Sequence, residues 1–169
     1  ILKISDECNE TLHNIIDFYN DNNDSNIKLF VQILKKYFNT KNDEILDNVL
    51  TWISKLFNKF HERMFSDIND FINKFTDLLN RENDIMFNLV LNILCEIAKY
   101  KDDYIEITIR QILDKLSKNL LLLQNRGKKI IKNFCNIIDI DRVFLSFAEE
   151  LKNIKVRKSN EILFFLILF

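Results

Sequence analysis

The sequence predicts an all-α fold, an α-α superhelix of antiparallel helix pairs, and three observations predict it. The first is compositional. One glycine and no proline among 169 residues leave few of the turn formers that a many-stranded β fold uses, and they remove the usual helix breakers. The second is periodicity: apolar residues recur at spacings of three and four between polar clusters, the mark of helices with one buried face. Third, those clusters are built from Asn and Asp, which serve as N-caps and turn residues.

A 47% hydrophobic composition is ample for a continuous core. With 24 basic and 25 acidic residues the formal net charge is −1, so no global field draws the chain to nucleic acid or an anionic membrane. The many Asn, Ile, Lys and Phe residues fit a bias toward AT-rich codons, so a single Asn or Lys says little about function. Cys8, Cys95 and Cys135 are odd in number, far apart and embedded in apolar stripes. They are expected to be reduced, buried thiols of a cytosolic protein and not a disulfide framework. The chain starts at Ile1 without a Met, shows no signal-peptide pattern and ends mid-pattern at Phe169, and is expected to be a piece of something longer.

Taken in order, Cys8, Leu12, Ile15, Ile16 and Tyr19 mark a first helix within residues 3–20. A run of Asp, Asn and Ser at 21–26 precedes a second helix carrying Ile27, Phe30, Val31, Leu34, Tyr37 and Phe38. Asn42 or Asp43 caps a third, from Asp43 to Phe60, whose apolar positions are Ile45, Leu46, Val49, Leu50, Trp52, Ile53, Leu56, Phe57 and Phe60. A tight corner at residues 61–64 leads into a fourth, Phe65 to Leu79.

Shifting the second helix by 41 residues lays Ile27 on Ile68, Phe30 on Phe71, Val31 on Ile72, Leu34 on Phe75 and Phe38 on Leu79. The same shift carries Ile45, Val49 and Ile53 onto Met86, Val90 and Leu94, and the fourth helix onto Ile109, Ile112, Leu113 and Leu116. A period of about 40 residues, each holding two helices, is the signature of HEAT or armadillo arrays, and the want of a short third helix favours HEAT. The expected organisation is one array over residues 1–169, with repeats at 3–39, 43–80, 83–117 and 118–152 and a further repeat opening at 159–169. An ordinary bundle with coinciding stripes is the competing reading.

Ser117 is a candidate cap for a short helix through Leu120–Leu123, which Gly127 is expected to end or kink before the stripe resumes at Ile130. A last full helix places Val143, Phe144, Phe147, Ala148 and Leu151 on one side. Lys152, Lys155, Arg157 and Lys158 form a basic linker. The run Ile162–Phe169, apolar all round and too short to span a bilayer, reads as the start of another repeat helix, against a membrane-inserting tail or an edge strand.

Catalytic patterns are not found. No phosphate loop, dinucleotide fingerprint, nucleophile elbow or zinc-protease motif can be written, and His13 and His61 have no ligand-spaced partners, so no cofactor, metal or enzymatic activity is expected. Asp102-Asp103 and Glu149-Glu150 read as a solvated loop and a polar helix face, and His61 as a solvated or capping corner residue. Arg126, Lys128, Lys129 and Lys132 form the one concentrated positive patch, either a surface for lipid phosphates or an acidic partner, or a solvated face. Trp52 reads as packing between repeats in preference to a partner hot spot.

The run Leu122-Leu123-Gln124-Asn125-Arg126-Gly127-Lys128-Lys129-Ile130-Ile131, with Cys135 and then Phe144, Ala148 and Leu151, resembles the LLxxRGxxIIxxxC segment and following helix of the ArPIKfyve scaffold family. Trp52-Ile53 with the turn Leu79–Asp84, and Cys8-Asn9-Glu10-Thr11-Leu12, are similar to upstream stretches of that family in the same order. The chain departs from the family at Lys128, where a Pro is common, and at Tyr100–Asp103, where a long polar insert is replaced by a short loop. The resemblance implies a non-catalytic HEAT scaffold that assembles a PIKfyve-type lipid kinase and a Sac-domain phosphatase, making and turning over phosphatidylinositol 3,5-bisphosphate. It implies a cytoplasmic protein, peripheral on endosomal or vacuolar membranes. No contact residue is carried over.

Overall fold

The computed structural model describes Glu7, Glu10, Thr11, Asn14, residues 24–65 and residues 68–153. Among them every regular element is helical: α1 (Asp24–Lys35), α2 (Asp43–Phe60), a 3-10 turn (His61–Met64), α3 (Ile68–Leu78), α4 (Asp84–Tyr100), α5 (Asp102–Lys118), α6 (Leu120–Ile137) and α7 (Ile140–Asn153). Most of the expected first helix, the basic linker beyond Lys152 and the run Ile162–Phe169 lie outside the described residues. The chain divides into two compact units, residues 1–68 and 69–169.

Asx side chains set the helix starts. Asn42 Oδ1 accepts from the amides of Glu44 and Ile45 (3.0 and 3.2 Å), Asn83 Oδ1 from Ile85 and Met86 (3.0 and 3.1 Å), and Asp139 Oδ1 from Asp141 and Arg142 (3.0 and 3.2 Å). Each cap satisfies donors that no helical carbonyl can reach and contributes about 1 kcal/mol. The caps punctuate the chain where glycine and proline do so elsewhere.

In residues 1–68, α1 packs on α2 and the 3-10 turn. The second predicted helix stops at Lys35, and 3-10-type bonds at residues 36–38 tighten the chain, turning Phe38 into the core while Tyr37 stays exposed. Helix α2 buries Leu46, Val49, Leu50, Ile53, Leu56, Phe57 and Phe60, but Ile45, expected on the same stripe, is exposed in the first turn. The predicted corner is the 3-10 turn, which starts with His61 at φ 50°, and Met64 and Phe65 are buried behind it. Phe65 is therefore not the first residue of the next helix.

In residues 69–169, α4 packs on both α5 and α6, α5 on α6 and α7, and α6 on α7. With several neighbours, α4 buries Met86, Phe87, Val90, Leu91, Ile93, Leu94, Cys95, Ile97 and Ala98, a band far wider than a single amphipathic stripe. The expected Tyr100–Asp103 loop is reduced to Lys101, and Asp102 and Asp103 belong to the first turn of α5, where the helix dipole favours acids.

Further expectations differ from the structure in α6 and α7. Helix α6 runs unbroken from Leu120 to Ile137: Gly127 is buried within it at negative φ and does not end it, because packing offsets the roughly 1 kcal/mol by which Gly disfavours a helix interior. Its cap is Asn119, whose Oδ1 accepts from Leu122 N at 3.0 Å, whereas the Ser117 hydroxyl donates to Asp114 O. In α7 the buried face is Val143, Ser146, Phe147, Glu150 and Leu151, so Phe144, 59% exposed, and Ala148 turn outward. The cause is Glu150, drawn inside by Arg110 of α5, whose Nε and Nη2 donate to its two carboxylate oxygens at 2.9 and 2.6 Å. The paired carboxylate holds Arg110 above the usual guanidinium range. Glu150 is thus not part of a solvated polar face.

Polar side-chain contacts between alternate helices, and between the corners that join them, recur at a steady separation in sequence. Lys115 donates to Asp77 across 38 residues, Asn119 Nδ2 to Asn80 Oδ1 across 39, Asn133 Nδ2 to Asn92 Oδ1 across 41, and Arg142 to Asp102 and Arg110 to Glu150 across 40 each.

Candidate functional site

The positive patch is not a uniform surface. Arg126 lies on α6 with its side chain 16% exposed, and its guanidinium is engaged by the α3–α4 corner. Nη1 donates to the carbonyls of Leu79 (3.2 Å) and Arg81, while Nη2 donates to the carbonyl of Glu82 (2.8 Å) and to Asp84 Oδ1 (2.9 Å). Its Cζ sits 4.4 Å from the centre of the Phe87 ring, within cation–π range. A planar fork with five donors suits this cluster of carbonyls, and a lysine could not reproduce it. This arrangement makes Arg126 a clamp on the corner.

Lys128, Lys129 and Lys132 are exposed on the same helix, and Lys129 Nζ lies 5.4 Å from the Phe87 ring centre. Gly127 is buried between Arg126 and these lysines. The patch therefore separates into one inward arginine and three outward ammonium groups. Trp52, in residues 1–68, is half-buried, with an indole Nε1 that is shielded and makes no hydrogen bond among the described residues.

His61 is exposed. Its amide donates to Phe57 O and its ring meets the Phe57 ring edge-on at 6.0 Å, so it terminates α2. His13 and Cys8 lie outside the described residues. Cys95 is buried and Cys135 half-buried, both free thiols, and burial pushes both above the usual thiol range, strongly so for Cys95, where the thiol accepts from Asn133 Nδ2 at 3.7 Å. Neither has the character of a reactive thiolate. No group of three or more metal-ligating side chains occurs among the described residues, and no described helix is long and apolar enough to cross a membrane.

Two clefts accompany these features within residues 69–169. The smaller, about 320 Å³, flanks the Arg126 clamp between Arg81, Asn119 and Leu121. The larger, about 640 Å³, opens where Lys99, Lys101 and Asp102 at the α4–α5 corner face Arg142, Leu145 and Ser146 of α7. Lys101 Nζ lies 6.0 and 5.8 Å from the ring centres of Tyr100 and Tyr104, which stack 6.5 Å apart. Arg142 pairs with Asp102 across the cleft, and Ser146, only 7% exposed, lines it.

Reasoning from the sequence missed this cleft and the Arg110–Glu150 pair. A signal was present: opposite charges such as Asp102 and Arg142 stand at nearly the same separation that aligned the apolar stripes. Comparison with family models, curated proteins and solved structures gives no match to this chain.

Proposed function

We propose that the chain is a non-catalytic scaffold segment built as a HEAT-type array, in which stacked helix pairs display exposed side chains to protein partners. The observation that carries the reading is the series of polar contacts between alternate helices and their corners at separations of 38 to 41 residues. Such a series is expected when each helix pair stacks on the next as a similar unit. The packing of α4 on α6 and of α5 on α7 agrees with it.

The partners we propose are a PIKfyve-type lipid kinase and a Sac-domain phosphatase, brought together on endosomal or vacuolar membranes. This assignment rests on the ordered resemblance of Trp52-Ile53, Leu79–Asp84 and the Leu122–Ile131 run to the ArPIKfyve scaffolds. Lys128 and Lys129 of that run, with Lys132 just beyond it, are exposed cations, and they are the surface proposed for an acidic partner or lipid headgroup. The test is affinity capture with the tagged parent protein from its own cells, followed by mass spectrometry. Co-purification of both enzymes is expected. Recovery of neither, with other trafficking proteins in their place, would favour the second reading, a HEAT adaptor in another membrane-trafficking or transport system.

A further inference from the structure

We infer that the outward face of α7 pairs with the same face of a second copy of the chain, the two helices lying antiparallel about a two-fold axis.

Helix α7 carries apolar side chains on more than the face it buries. Val143, Phe147 and Leu151 are buried, and the helix packs on α5 and α6. Ile140, Phe144 and Leu145 are each more than half exposed, and Ala148 is exposed one turn further on. A contiguous apolar patch left in water marks a contact surface.

Spacing says what kind of element fits there. Asp141, Leu145, Ala148 and Lys152 follow one another at four, three and four residues, the seam of a helix that packs along another helix. All four are exposed, and this spacing sets them on the side of α7 opposite the buried Val143, Phe147 and Glu150. Nothing already packed has to move.

Charge says which helix. Asp141, Glu149 and Lys152 make no ion pair among the described residues. An antiparallel second copy brings its Lys152 to Asp141 and its Asp141 to Lys152, one such pair at each end of the seam, and sets Leu145 against Ala148 in the two layers between. Glu149 then comes beside Arg142 of the second copy, a guanidinium with five donors that has Asp102 on one of them. The small Ala148 lets the helices approach closely and leaves room for Phe144 of the second copy. A parallel pair would set every charge against its like. The face is thus its own complement under a two-fold rotation, the requirement of an isologous contact.

The test is sedimentation velocity of the 169-residue chain over a range of concentrations. A monomer–dimer equilibrium with a Kd of roughly 10–100 µM is expected, because one pair of 14-residue helices is a small interface. Leu145→Asp, at an exposed position, is expected to leave a monomer with unchanged circular dichroism. Asp141→Lys and Lys152→Asp should each weaken dimerisation at least about tenfold, since each sets like charges together at both ends of the seam. An equimolar mixture of those two variants restores both opposite-charge pairs and should dimerise within about threefold of the original chain. Monomers at every concentration, as when residues 154–169 cover the face themselves, would overturn the inference. So would dimers that survive Leu145→Asp in the folded chain, assembly beyond the dimer, or a mixture no tighter than its two components. The pairing needs neither enzyme, so its failure is distinguishable from a failed capture experiment.

Discussion

The corners at His61–Met64 and Leu79–Asn83 solve one problem, reversing a helical chain that has no proline, by different means. At the first the backbone does the work locally: His61 adopts φ 50°, ψ −136°, its amide closes onto Phe57 O, and Met64 and Phe65 bury against α2 and its neighbours. At the second the backbone is relaxed, with 3-10-type bonds from Leu79, Asn80 and Arg81 back to Thr76, Asp77 and Leu78. A side chain from more than 40 residues away, Arg126, then collects the carbonyls of Leu79, Arg81 and Glu82. The first corner stores strain in one residue. The second stores its stability in a long-range clamp, so its fate depends on α6.

The comparison is broken most forcefully at the clamp. Arg126→Ala is expected to destabilise the chain by roughly 2–4 kcal/mol, because it leaves several corner carbonyls without their charged donor and removes the nearer of two cations beside the Phe87 ring. Arg126→Lys should recover little of this, since an ammonium cannot fork to the same set. Lys128→Ala and Lys132→Ala, at exposed positions of the same helix, should stay within about 0.5 kcal/mol. Urea midpoints measure the three classes together. If Arg126→Ala behaved like the lysine variants, the arginine would be a surface cation and the clamp would carry no weight.

A smaller effect separates the corner's own cap from its clamp. Asn83 Oδ1 holds the amides of Ile85 and Met86, and Asn83→Ala is expected to cost about 1 kcal/mol by the same measurement. Combined with Arg126→Ala the losses should fall short of additivity, because both groups order the same few residues. Additive losses would mean that cap and clamp act on independent structure.

The same contrast explains how much could be read in advance. The helix start at Asn42 was legible because an Asx cap and the apolar stripe after it are local signals, and Asn83 and Asp139 cap their helices by the same chemistry. The tight corner at 61–64 was legible because the apolar stripes on either side of it are also local signals. What escaped depended on partners distant in sequence. Arg126 looked like one of four surface cations because nothing within a helical turn of it announces the carbonyls of Leu79–Glu82. Gly127 looked like a break because propensity was weighed without the packing around its buried position in α6. The α7 face was misjudged by one position because an acid, Glu150, was assumed to face water, and its partner Arg110 lies 40 residues earlier. Ser146 gave no sequence signal, for a serine in a helix announces nothing until its surroundings are known.

The finest test falls on the strained corner, where the sign of a substitution is more informative than its size. At an ordinary helical position, replacing Ala by Gly loses roughly 0.5–1 kcal/mol, because Gly gives up more backbone freedom on folding. At φ 50°, ψ −136° the order should reverse: a Cβ strains the backbone there, and such residues cost about 1–3 kcal/mol. Both His61→Ala and His61→Gly remove the ring that meets Phe57 edge-on, so the loss of that contact cancels between them. Their difference isolates the backbone. His61→Gly is expected to be more stable than His61→Ala by about 1 kcal/mol, read as a higher urea midpoint with unchanged slope. An Ala variant equal to or better than Gly would show that His61 turns the chain without strain, and the two corners would then differ only in the arginine that reaches one of them.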